Sequence, residues 1–76
     1  MKAVHSNIDG PYVIEEDIAL YGTITGGATL AGGRRFILRG TIVGDLTVEK
    51  GAHAILHGTV AGRVYNDGGR VELFGM

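Results

Sequence analysis

Cysteine is absent from the 76 residues, which removes disulfides, thiol catalysis and cysteine-ligated zinc from consideration. There is no excess of base either. Seven Lys and Arg stand against eight Asp and Glu for a formal net charge of −1, so the electrostatic footprint of a nucleic-acid or anionic-membrane binder is missing. Ser6 is the sole serine, no two glycines are separated by a single residue, and neither Gly-Lys-Ser nor Gly-Lys-Thr occurs. The dinucleotide fingerprint and the usual phosphate loop therefore cannot be written. No apolar run approaches the roughly 20 residues of a membrane-spanning helix, and Met1-Lys2-Ala3-Val4-His5-Ser6 lacks the apolar stretch of a signal peptide. The expectation is a cytoplasmic protein with no cofactor, no nucleic-acid partner and no membrane span.

What the chain has in abundance is glycine, 14 residues of it, and the glycines are periodic. Gly22-Thr23-Ile24, Gly40-Thr41-Ile42 and Gly58-Thr59-Val60 recur every 18 residues, each followed by a second glycine at Gly26, Gly44 and Gly62. In step with them run Leu20-Tyr21-Gly22, Leu38-Arg39-Gly40, Leu56-His57-Gly58 and, one residue early, Leu73-Phe74-Gly75. A fixed period this short marks a solenoid. In a helix interior each glycine would cost about 1 kcal/mol, whereas short alternating stretches broken by Gly or charge are the signal of strands.

In register, the windings are residues 22–39, 40–57 and 58–74, with residues 7–21 as a first winding that lacks two residues near its second corner. Residues 1–6 read as a leader, residues 7–75 as one β-helix domain, and Met76 as a stub. The first stretch of each winding points Ile24, Ile42 and Val60 inward. The second points in Tyr12 and Ile14, Ala28 and Leu30, Leu46 and Val48, then Val64 and Asn66. The third points in Ile18 and Leu20, Phe36 and Leu38, Ala54 and Leu56, then Val71 and Leu73. Stacked about 4.8 Å apart, such side chains form columns inside a triangular interior. The fold class is thus all-β, a short parallel β-helix of about four windings of 17–18 residues. A chain this small buries only about 60% of its unfolded surface, so its core must be dense or shared.

Few residues suggest chemistry. His53 and His57 are too far apart on a strand, about 13 Å, to share a metal, and they read as polar residues of an outer face. Glu15-Glu16-Asp17 lies one winding from Arg34-Arg35, which predicts a solvated salt ladder rather than a catalytic carboxylate pair. No catalytic or metal site is expected. Surfaces are the better candidates. Tyr21, Ile37, Ile55 and Phe74 alternate outward beside Arg39 and His57, forming a lateral stripe suited to a protein partner. The ends of a parallel coil also expose unpaired strand edges and a slice of core. Here the ends offer Ile8, Tyr12 and Ile14 on one side and Val64, Val71, Leu73 and Phe74 on the other. Asn66 with Asp67 supplies a modest polar cap to the second, and Val4 of the leader covers the first.

The pattern Gly22-Thr-Ile-Thr-Gly26, Gly40-Thr-Ile-Val-Gly44-Asp45-Leu46-Thr-Val48 and Gly58-Thr-Val-Ala-Gly62-Arg-Val64 resembles the bactofilins, bacterial polymer-forming cytoskeletal proteins, over roughly residues 7–75. The resemblance implies a right-handed β-helix that self-assembles end to end without nucleotide, a homo-oligomer with no enzymatic activity. A different class of function, a small β-helical inhibitor or immunity protein that neutralises a toxin or effector, would use the lateral stripe instead. Hexapeptide-repeat acyltransferases are β-helical too, but their six-residue isoleucine/valine period is not found here.

Overall fold

The computed structural model describes residues 1–74; Gly75, assigned above to the end of the β-helix domain, and the stub Met76 lie outside the described residues. The described residues form thirteen short strands and no helix. The strands wind round three parallel sheets, one per face of a prism. The first face holds β2 (Ile8–Asp9), β5 (Thr23–Thr25), β8 (Thr41–Val43) and β11 (Thr59–Val60), and the second holds β3 (Tyr12–Ile14), β6 (Ala28–Leu30), β9 (Leu46–Val48) and β12 (Val64–Asn66). The third holds five strands, β1 (Lys2–Val4), β4 (Ile18–Leu20), β7 (Arg35–Leu38), β10 (His53–Leu56) and β13 (Arg70–Leu73). This is the short β-helix of about four windings that the glycine period predicts.

Register follows the columns. Ile24 pairs with Ile42 and Ile42 with Val60 on the first face. Ala28 pairs with Leu46 and Leu30 with Val48 on the second, and Phe36 pairs with Ala54 and Leu38 with Leu56 on the third. Apart from Val60, which is half-buried against it, these side chains and their neighbours Ile14, Ile18 and Leu20 make one continuous buried core. Since a one-residue slip would turn every one of them to solvent, the buried columns hold the register.

The glycine column has a steric cause. Successive windings approach so closely at the corner after the third face that a Cβ on Gly40 would land on the carbonyl oxygen of Gly22, and one on Gly58 on that of Gly40. The same carbonyls accept hydrogen bonds from the next winding, Thr41 N–H to Gly22 O at 3.1 Å and Thr59 N–H to Gly40 O at 3.0 Å. Glycine recurs here because the windings touch backbone to backbone.

Length varies at one corner only. Through β3 the first winding pairs 16 residues ahead, Ile14 with Leu30, but from β4 onward the offset is 18, Ile18 with Phe36. The two residues missing from the first winding are therefore lost at Glu15–Asp17, between second and third faces. The last winding loses its one residue at the same corner, since Asn66 pairs 18 back with Val48 while Val71 pairs 17 back with Ala54.

The leader is part of this architecture. Lys2–Val4 forms β1, which pairs with β4 (Lys2 with Ile18, Ala3 with Ala19, Val4 with Leu20), and Val4 packs against the core. Two buried alanines escape the alternation rule. Ala52 sits at a corner and is buried, and Ala19 is buried although it points away from the core.

Candidate assembly ends and lateral face

The C-terminal end is an open ring. In the winding beneath it Leu46 is 0% and Leu56 2% exposed, whereas their column partners Val64 and Leu73 are 37% and 73% exposed. Val60 and Val71 are half-buried against the core, and Phe74 is exposed. Asn66 turns its side chain to the backbone, its Oδ1 accepting a 2.7 Å hydrogen bond from Gly69 N–H. It caps the last described corner, and among the described residues nothing else covers the aliphatic ring around it.

The N-terminal end is different. Ile8 and Tyr12 are half-buried there, but Ile14 is only 1% exposed. Its assignment to an end surface is corrected accordingly: Ile14 is a core residue, part of the cluster against which the half-buried Val4, Ile8 and Tyr12 pack. Under β1 lies an open hollow of about 400 Å³, walled by Val4, Ile8, Tyr12 and Ile18 and rimmed by Lys2, His5 and Glu16.

All six stripe residues come together on the outside of the third face. One outer column runs Ala3, Ala19, Ile37, Ile55, Glu72. The next carries Tyr21, Arg39, His57 and Phe74, each one residue beyond its strand's last inward leucine. His5 stacks on Tyr21 with ring centroids 4.8 Å apart, and His57 on Phe74 at 4.9 Å. The Leu-x-Gly repeat places these rings because the parallel spacing of about 4.8 Å is also a favourable ring-stacking distance.

Polar contacts depart from the expected salt ladder. Asp17 does not pair with the side chains of Arg34 or Arg35; its Oδ1 accepts from the backbone N–H of Arg35 at 2.9 Å, one winding on. Asp45 does the same for Arg63 N–H at 2.9 Å. A carboxylate at a corner meets the next backbone amide sooner than it meets a solvated guanidinium. Side-chain pairing occurs instead on the third face, where His53 Nε2 and Glu72 Oε2 form a close hydrogen-bonded pair and Arg70 Nη2 makes an ion pair with Glu72 Oε1 at 3.8 Å. The His53 hydrogen bond, opposed by desolvation and aided by Arg70, holds the Glu72 carboxyl below the usual glutamate range. His53 and His57, separated by the outer column of Ile55, thus have separate partners. Among the described residues no three His, Asp or Glu side chains gather into a metal-binding group, and no helix is long and apolar enough to cross a membrane.

No family model, curated protein or solved structure matches the chain. Sequence reasoning missed two features of these surfaces, the strand character of Lys2–Val4 and the His53–Glu72 pair. The alternation in Lys2-Ala3-Val4-His5 was a signal for the first; the 19-residue gap of the pair follows only once the shortened last winding is placed.

Proposed function

We propose that this chain is a non-enzymatic structural protein that self-assembles through the ends of its coil, the mode of action implied by its resemblance to the bactofilins. One observation carries the reading: the aliphatic columns that are fully buried in the inner windings run out uncovered at Val64 and Leu73. At about 25 cal/mol per Å² of apolar surface removed from water, burial of that ring against a second copy is favourable, and the unpaired edges of β11, β12 and β13 supply backbone hydrogen bonds to the same contact. Val60, Val64, Val71, Leu73 and Phe74 form one surface and Ile8 and Tyr12 belong to the other.

Light scattering and negative-stain microscopy of the purified protein at neutral pH test this. Elongated or closed oligomers are expected at high concentration, and Leu73→Glu, a change at an exposed position, is expected to leave the circular dichroism of the coil intact while abolishing them. A strictly monomeric wild-type particle at high concentration rules the reading out.

A second reading is favoured by the stacked rings of the lateral face. Tyr21, Arg39, Ile55, His57 and Phe74 form a flat, ring-rich patch of the kind on which an inhibitor or immunity protein holds its target. Ile55→Glu tests this reading, since end-to-end assembly does not use Ile55: the variant is expected to lose capture of a protein partner while assembly and folding stay intact, and loss of assembly alone counts against it.

A further inference from the structure

The third face has one strand more than the other two, so the first and last described strands lie on the same face. That extra strand is a steric problem for any second copy. If β1 of one copy sat on β13 of another, β2 and β3 would lie two strand spacings from β11 and β12, leaving a gap one strand wide on two faces. Without β1 the fit is complete. Then β11 meets β2, β12 meets β3 and β13 meets β4, each at one spacing of about 4.8 Å, and the three faces continue without rotation.

We propose that the edges of β2, β3 and β4 are the docking surface for β11, β12 and β13 of a second copy, and that β1 is a removable cap occupying the β4 edge. The proposal rests on the end-to-end reading above. Four of the five inward columns match apolar with apolar, the fifth setting Asn66 against Ile14. Carried across the junction by the pairings of the coil, Val71 falls against Ile18 and Leu73 against Leu20. Val60 falls against Ile8 and Val64 against Tyr12. Charge agrees as well: in the column that runs through Arg35 and His53, Asp17 stands at one end and Arg70 at the other, so opposite charges meet. On the outer face Phe74 would replace His5 as the ring stacked on Tyr21.

β1 fits its site poorly. Lys2 pairs with Ile18 and so holds the place in the inward column that Ile18, Phe36, Ala54 and Val71 fill elsewhere, yet it is exposed. Its ammonium must stay in water. The strand also stands over the hollow of about 400 Å³, space that Val60, Val64, Val71 and Leu73 of a second copy would fill. A lysine in a core column and an unfilled hollow are the marks of a cap and not of a further rung.

The absence of cysteine allows a clean test in the full chain. Ala3 and Ala19 are paired on the outer face, at a spacing that a disulfide spans, about 4.4–6.8 Å between Cα atoms. Oxidised Ala3→Cys/Ala19→Cys locks β1 onto β4. It is expected to remain monomeric by light scattering under conditions where the wild type assembles, and to assemble on addition of reductant. Val4→Asp, which weakens the cap, is expected to lower the concentration needed for assembly at least several-fold. Glu72→Cys/Ala19→Cys reads the junction itself, oxidation giving a ladder of covalent oligomers. Assembly by the locked, oxidised variant equal to that of its reduced form overturns the cap but leaves end-to-end assembly standing. No assembly by the wild type, the reduced variant or Val4→Asp overturns both.

Discussion

The tightest constraint on any single residue falls on Gly40, whose missing Cβ leaves room for the carbonyl of Gly22. Gly40→Ala forces backbone against backbone, which no rotamer change relieves. A loss of about 3 kcal/mol or more is expected, read as a shift of the urea midpoint. Glu72 offers a second residue-level expectation. Its pKa is depressed by the His53 hydrogen bond and by Arg70, so the folded state binds its proton less readily than the unfolded chain does. The stabilisation is therefore complete above the ordinary glutamate range and is lost as pH falls through the lowered folded value. Glu72→Gln is expected to flatten this acid limb in a plot of thermal midpoint against pH while leaving the shape above it largely unchanged.

At the scale of strands, position in the coil outweighs residue type. Leu38 and Leu73 share a column on the third face through Leu56, yet one is buried and the other exposed. Leu38→Ala should cost about 2–5 kcal/mol and Leu73→Ala, in the monomer, no more than about 0.5 kcal/mol, both by denaturant titration. Alternation of period two made the inward columns legible from sequence, down to Phe36, Ala54 and Asn66. It fails where its premise fails. Ala52 lies at a corner, where the chain turns and alternation has no meaning. Ala19 points outward but is small and lies between Ala3 and Ile37, so a rule about direction says nothing of its shielding. Ile14 seemed available at an end because only the repeat was counted, and the strand at Lys2–Val4 departs from that repeat in having Lys2 at a core position. The polar ties of Asp17 and Asp45 were hidden for a different reason. Charge pairing can be guessed from sequence, but a carboxylate's choice between a guanidinium and a backbone amide depends on the corner geometry.

The molecule as a whole is about as tall as it is wide, 27 × 24 × 23 Å, so its two ends make up a large part of its surface. Each winding contacts only its neighbours, and in such arrays stability is a sum over local interfaces. Whatever covers an end must therefore stabilise the windings near it. The thermal midpoint of the wild type is expected to rise with protein concentration if the ends are joined, and that of Leu73→Glu to stay constant, both by differential scanning calorimetry across a hundredfold range. Hydrogen exchange should report the same gradient within one molecule, fastest at β1 and β13 and slowest at β7 and β8.

The corner between second and third faces absorbs every change in winding length: it gives up two residues at Glu15–Asp17 and one at Asp67–Gly69, while the pairing on either side keeps its columns. One vertical edge of the prism is thus an expansion joint. Peptides grafted at the tip of this edge, between Gly32 and Gly33 or between Lys50 and Gly51, would hang clear of the ladders that hold the coil together. In an assembled coil a peptide at one of these sites would recur along one side every four windings, giving a scaffold that displays foreign loops at a pitch of roughly 19 Å.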